Sequence, residues 1–292
     1  MICPRAFFRP EEFAVALAED KAFREATEAA MRAQATVPGS CLLCGRDTHF
    51  RVDAGANFGP DYPNLREGLV CECGGKNRDR LMARGSQSYL EKAESVVFFG
   101  AFSGWADWAR RAHPGKITFC EYFADVETRG QTRTVQGLDI RNEDMTAITF
   151  AEETADLVLH QDVLEHIPDY RRALSETHSL LKPGGTLVFT APFFHERRHT
   201  NVRAAVMPDG RIEHYAPEER HGDPLNPEGI LAFYNFGWTL LDDMRAAGFE
   251  DVRLEYFYQP EQGIVSTGCP FPVANMMPVY LVGTKPLAGA PD

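Results

Sequence analysis

Four apolar, β-compatible residues, Val96, Val97, Phe98 and Phe99, run into Gly100, and Ala106, Trp108, Ala109 and Ala112 then recur at helical spacing. This pattern predicts a strand, a tight turn and a helix over 105–112. Further strand-like runs follow at Ile117–Glu121, Thr134–Leu138, Asp156–His160 and Thr186–Ala191, with a helix at Tyr170–Leu181 that Pro168 opens. Strands that alternate with helices imply crossover connections and a parallel sheet, so the fold class is α/β. Lys182-Pro183-Gly184-Gly185 reads as a helix stop and turn. A last helix at Trp238–Ala247 precedes two final strands, "FEDVRLEYFY" and "PVYLVGT".

Upstream, residues 10–34 are rich in Ala and Glu, with apolar positions three and four apart and Pro10 suited to a first helical turn. Periodicity then disappears from Val37 to about Gly75, where Gly, Pro, Asn and Asp accumulate, and a helix is expected from Asn77 to Ala93. Three regions result: a helical arm over 1–36, a loop-rich module with its connecting helix over 37–93, and an α/β domain over 94–292. A polar stretch over about 194–232 interrupts that domain with four histidines. Connections of this length inside a compact domain are commonly functional or disordered.

With 292 residues and 44% hydrophobic side chains, the chain can fill a sizeable core. Its formal charge of −12 argues against a broad nucleic-acid footprint or an anionic membrane surface. No apolar run is long enough for a membrane span, and charges interrupt the opening "MICPRAFFRPEEF", so a cytoplasmic location is expected. The partner expected is a small polar molecule, with neither nucleic acid nor membrane. Oligomeric state is not legible.

Four of the seven cysteines fall in two close pairs, Cys41-Leu-Leu-Cys44 and Cys71-Glu-Cys73, with 26 residues between them. Four thiolates can close a tetrahedral Zn²⁺ shell, and a structural zinc would supply about 10 kcal/mol to a module too small to hold itself. The second pair is tighter than a usual knuckle, which leaves open whether His49 replaces one ligand or the cysteines are simply buried thiols. A closed thiolate shell leaves no position for catalysis.

The most informative stretch is "ADLVLHQDVLEHIPDYRRALSETHSLLKPGGTLVFTAPF", Ala155 to Phe193. Its "DLV…DVLEHIPD" and "LKPGGTLVFT" segments resemble the class I S-adenosylmethionine-dependent methyltransferases over roughly residues 94–285. "CLLCG…LREGLVCECGGKNRDR" and "RHGDPLNP…FYNFGWTLLDDMRAAGF" resemble a subgroup in which a cysteine-pair module precedes the methyltransferase core. The resemblance implies a Rossmann-like fold with a mostly parallel seven-stranded sheet flanked by helices, a small N-terminal helical and zinc-binding region, and S-adenosyl-L-methionine as cofactor.

It also implies roles. Gly100 and Gly104 belong to the cofactor turn, with Phe102 where a third glycine is usual and Phe98 where an acidic residue is usual. Glu121 stands where a carboxylate accepts both ribose hydroxyls. Asp139 would accept from the adenine amino group, with Ile140 on the ring. Groups at the end of the fourth strand face the reacting centre, which singles out His160, Gln161 and Asp162. His160 is the first candidate base and His195 the second, because imidazole titrates near neutral pH; His166 is expected to fix its loop. Arg198, Arg203, His214, Tyr215 and His221 belong to an expected substrate lid over 194–232, suited to a hydroxylated or anionic acceptor such as a sugar or nucleotide-sugar, and Tyr234 just beyond it could, like Tyr215, stack on a ring.

Three readings compete. The first is methyl transfer to O or N of a small polar acceptor. The second is a methyltransferase-like binding or scaffold protein without turnover, which Phe98 and Phe102 would permit. The third is a zinc-module RNA methyltransferase, which the acidic balance opposes.

Overall fold

The computed structural model describes residues 4–53, 63–268, 275–287 and 289; Cys3 and Cys269 lie outside the described residues. In chain order the elements are β1 (Arg5–Phe7), α1 (Pro10–Glu19), α2 (Lys21–Arg32), β2 (Thr36–Cys41), β3 (Arg46–Val52), α3 (Leu65–Gly68), β4 (Leu69–Val70), α4 (Asn77–Lys92), β5 (Val96–Phe99), α5 (Gly104–Ala112), β6 (Ile117–Glu121), β7 (Thr132–Val135), β8 (Leu138–Asn142) and β9 (Ala155–Gln161). Then follow α6 (Tyr170–Leu180), β10 (Leu181–Thr190), β11 (Asn201–Val202), β12 (Ala204–Val206), β13 (Ile212–His214), β14 (Arg220–Asp223), β15 (Asn226–Leu231), β16 (Tyr234–Asn235), α7 (Thr239–Ala246), β17 (Glu250–Tyr256) and β18 (Val279–Thr284).

The main sheet is mixed and nine-stranded, in the order β1-β17-β18-β10-β9-β5-β6-β8-β7, which corrects the expected seven. Its central run β10-β9-β5-β6-β8 is parallel, while β18 pairs with β10, β7 with β8 and β1 with β17 in antiparallel sense. The two additional strands have separate origins. β1 precedes the helical arm, and β7 arises because the single strand expected over 134–138 is a hairpin. Gln136 (φ 51°) and Gly137 (φ 80°) form its two-residue turn with positive φ at both positions, as tight hairpins prefer. Lys182 to Gly185 interrupts the register of β10 between Leu181 and Thr186 instead of ending a helix outside the sheet.

The described chain divides into two compact units. One is drawn from residues up to Glu91, from Ser103–Pro114 and from Arg253–Tyr280; the other from Lys92–Phe102, from Gly115–Val252 and from Leu281 onward.

In the first unit, the helix expected over 10–34 is two helices, and the region expected to be loop-rich holds the antiparallel sheet β2-β3-β4. Arg80 is fully buried and donates to the carbonyl oxygens of Gly75 (2.9 Å), Leu69 (2.8 Å) and Gly263 (2.9 Å), while its guanidinium lies 4.2 Å from the Phe50 ring centroid. One cation thereby joins three chain segments. Trp105 of α5 donates to the Ser86 hydroxyl of α4 at 3.1 Å.

In the second unit, β5 is buried at all four positions and β9 at five of seven, as expected of parallel strands covered on both faces. The segment expected to be a polar lid is ordered by three short pairings: β12 with β13, β14 with β15, and β11 with β16. Asp169 caps α6 by accepting from the Arg172 N–H at 3.1 Å.

Candidate functional site

Around β5 the strand order reverses, since β6 lies on one side and β9 on the other. In open α/β sheets, ligands bind beyond the strand carboxyl ends at such a point. Gly100 follows β5 with φ +83°, a conformation that favours glycine, and a Cβ there would meet only Val163 Cγ2, at 3.4 Å. The next residue, Ala101, donates its N–H to Glu121 Oε2 at 3.0 Å, and Tyr122 N–H lies 3.3 Å from Oε1. A carboxylate has about four acceptor positions, so two remain for hydroxyl groups. Burial pushes the Glu121 carboxyl up to about 7, the two N–H donors oppose that shift, and the Asp223 charge adds to it. Beyond β9, Asp162 takes φ 51° and donates its N–H to Thr190 O at 2.9 Å. Strain of this kind at a strand end is a recurrent property of functional sites.

Several expected cofactor contacts stand elsewhere. A Cβ on Gly104 would lie 2.8 Å from Asp79 Oδ2 and 3.2 Å from the Gly75 Cα, so close packing accounts for this glycine. Phe102 is partly exposed and does not join the core. Asp139 is near the start of β8, exposed, and accepts from Thr134 Oγ1 at 3.0 Å; Ile140 is fully buried within the strand. The hairpin turn at 136–137 moves this strand, placing Asn142 and the buried Glu143 at its carboxyl end in place of Asp139. Asn142 Oδ1 accepts from Phe123 N–H at 3.3 Å, which ties the β8 end to the loop after Glu121.

His160 is fully buried and stacks on Phe189 with centroids 4.5 Å apart; neither ring nitrogen has a hydrogen-bond partner among the described residues. Burial lowers its pKa to about 3, which makes it a weak proton acceptor. Gln161 ends β9, paired in register with Thr190. His195 is partly exposed, with Nδ1 3.2 Å from Glu196 Oε2.

Of the expected lid residues, Arg203 is committed internally to Glu219 (3.1 Å), Asn235 (3.1 Å) and the Pro217 carbonyl (2.6 Å). Arg198 reaches Asp242 at 3.4 Å, and His214 and Tyr215 are exposed. Tyr234 donates to the Pro168 carbonyl and packs edge-on against Tyr170 at 4.7 Å. These two tyrosines, with Arg171, His199, Thr200 and Asp243, border a cavity of about 320 Å³.

Sequence reasoning missed a cluster that includes His221. Glu165 is fully buried, and both carboxylate oxygens lack a hydrogen-bond partner among the described residues. His166 Nε2 and His221 Nδ1 each lie 3.6 Å from Glu165 Oε1. The opposite nitrogens are engaged: His166 Nδ1 with Leu231 O at 2.8 Å, and His221 Nε2 with Glu219 Oε1 at 3.0 Å. Burial opposes protonation of His221, but Glu165 and Glu219 outweigh it and raise the imidazole to about 9.

In the first unit, Cys41, Cys44, Cys71 and Cys73 bring their sulfurs within 4.8 Å of one another, with Cys41–Cys73 and Cys44–Cys71 at 3.9 Å. A tetrahedral Zn–S shell has edges of about 3.8 Å, so the four thiols fit that ion. Turns centred on Gly45 (φ 68°) and Gly74 (φ 85°) present them. Burial raises the Cys41 thiol; Cys71 overcomes its own burial through the Cys73 N–H and the Thr48 hydroxyl and falls to about 7. His49 is exposed on β3 and lies outside this cluster.

The family described as "Methyltransferase domain" matches residues 100–189, the stretch from the Gly100 turn to β10. A dimethylglycine N-methyltransferase of Parasynechococcus marenigrum is 32% identical over 109 residues, 35% of this chain and 39% of that protein. A ubiquinone biosynthesis O-methyltransferase of Coxiella burnetii is 25% identical over 107 residues, 36% of this chain and 46% of that protein. The aligned region thus spans less than half the length of either curated relative. An S-adenosylmethionine-dependent methyltransferase structure from Mesorhizobium loti aligns with 70% of this chain and 100% of its own, at 18% identity and a TM-score of 0.40. The similarity to methyltransferases is thus concentrated in residues 100–189. Among the described residues, no helix is long and apolar enough to cross a membrane.

Proposed function

We propose that this protein is an S-adenosylmethionine-dependent methyltransferase acting on O or N of a small, hydroxylated acceptor. The observation that carries the reading is the Gly100 turn held to Glu121 through the Ala101 N–H, at the reversal point of the sheet and within the methyltransferase match. Gly100 gives the nucleoside a close backbone approach, and the free positions of Glu121 accept the ribose hydroxyls. The cofactor, when bound, supplies an electrophilic methyl group on sulfur. The chain's task is to hold the acceptor in line and to take its proton. Because burial leaves His160 a weak base, we assign the proton to His195, which Glu196 supports at 3.2 Å.

Arg203 and Arg198, the two arginines expected to meet substrate, are engaged with Glu219 and Asp242, which favours a hydroxylated acceptor over a highly anionic one. The N- and O-methyltransferase relatives support a small acceptor in either chemistry. The thiol cluster is read as a structural Zn²⁺ site of the first unit.

Calorimetric titration with S-adenosylmethionine and S-adenosylhomocysteine tests the reading. Micromolar binding of either is expected, followed by label transfer to members of a sugar panel. No binding up to millimolar concentration overturns it, and binding without transfer to any acceptor favours the scaffold reading.

A further inference from the structure

The Glu165 cluster has no part in the methyl-transfer reading, and its chemistry is distinct from that of the thiols. A fully buried carboxylate without a hydrogen-bond partner is costly, and such a group ordinarily finds a cation or takes a proton. Two imidazole nitrogens face Glu165 Oε1, each at 3.6 Å, which is beyond hydrogen-bond reach. It matches the edge of a tetrahedron, about 3.3–3.6 Å, around a metal with N and O ligands at about 2.0–2.2 Å.

The outer contacts point the same way. A ligating histidine usually donates its other N–H to a carbonyl or carboxylate, which fixes the tautomer and aims the lone pair at the metal. His166 has the Leu231 carbonyl for this purpose and His221 has Glu219. With those N–H groups so directed, His166 Nε2 and His221 Nδ1 are the nitrogens that would present lone pairs beside Glu165 once a metal displaces the proton His221 carries there. The ring centroids are 5.0 Å apart and nearly perpendicular, so neither imidazole stacks over the other's inward nitrogen.

We infer that Glu165, His166 and His221 form a mononuclear site for a divalent first-row transition cation, with Zn²⁺ the natural occupant of a His₂Glu donor set. Three protein ligands leave at least one position for water or another oxygen donor. Entry is from the His221 side, where the side chain retains 30% exposure, whereas Glu165 at 0% forms the floor. Because His221 belongs to β14 and the other two ligands follow β9, the ion fastens the insertion to the loop beside Asp162.

The test uses the full-length protein, stripped with chelator and reloaded with Zn²⁺ or Co²⁺. Bound metal is counted by mass spectrometry in wild type, His221→Ala, Glu165→Gln and Glu219→Gln. His221→Ala and Glu165→Gln are each expected to bind one equivalent fewer than wild type. In the Co²⁺ form they should retain any sulfur-to-cobalt charge-transfer band from the thiols while losing visible bands of the nitrogen–oxygen type. Glu219→Gln, with its circular dichroism unchanged, should weaken uptake at this site about 10–100-fold. Wild-type and His221→Ala proteins with equal metal content and identical Co²⁺ spectra would overturn the proposal, whatever the thiols hold. Wild-type protein that takes up no metal would overturn it as well.

Discussion

The thiol cluster and the Glu165 cluster are both polar constellations held in a fold, yet they are assembled differently. Four sulfurs come from two short turns, each with its own glycine in a left-handed conformation, so each pair is already close along the chain. Glu165, His166, Glu219, His221 and the Leu231 carbonyl come from three places, and the insertion must fold before they meet. The first arrangement closes around its centre with four ligands of one kind. The second has mixed donors and an open side. Local presentation suits a centre that supports folding, whereas assembly at a distance suits one that depends on a fold already made.

The largest effect should come from breaking the local cluster. Cys44→Ser should lose the thiol-bound zinc and several kcal/mol of stability, from a gross contribution of about 10 kcal/mol. Zinc analysis and thermal melting in parallel check this, and a full zinc load in the variant would contradict the proposed shell. Next is Arg80→Ala, which strands three buried carbonyls and should cost about 3 kcal/mol in urea unfolding. A loss under about 1 kcal/mol would show that the first unit does not depend on this cation.

In the second unit the expected effects are smaller and concern binding. Gly100→Ala must hold alanine at φ +83°, at a cost of about 1–2 kcal/mol, and should weaken S-adenosylmethionine binding by crowding the turn. Smallest is the pH effect of Glu121. Its folded-state pKa of about 7 lies above the ordinary carboxyl value, so the folded protein retains a proton that the unfolded chain releases. Stability contributed by this group is therefore full below the ordinary carboxyl value and declines as pH rises toward about 7. Ribose recognition is favoured by the charged form, so cofactor affinity should rise with the ionised fraction across the same range, and Glu121→Gln should flatten that rise. An equally steep profile in the variant would assign the titration to another group.

Legibility in the sequence followed the reach of each interaction. β5 and β6 were placed to the residue because buried parallel strands carry continuous apolar runs bounded by turn residues. The cysteine pairs declare themselves by spacing. The β7–β8 hairpin is hard to read because Gln136-Gly137 is not among the usual turn pairs, and it sets Asp139 near the start of β8 and Asn142 at its carboxyl end. Gly104 has the spacing of a cofactor glycine, but its cause is a non-local contact with Gly75 and Asp79. His160 was selected for its ordinary titration range, which burial removes. His166 was expected only to fix its loop, and Glu165 drew no notice, because their partners lie more than fifty residues away.

The three carbonyls that hold Arg80 have a consequence for how the protein is made. Gly75 and Leu69 are translated close to Arg80, whereas Gly263 is added near the end of synthesis. A ribosome therefore releases almost the whole main sheet before the first unit can satisfy its central cation. A fragment ending at residue 93 contains all four thiols but lacks the third acceptor, so the amino-terminal region is not a separable cassette. A premature stop that spares the sheet's parallel core would still leave the beginning of the chain unfinished.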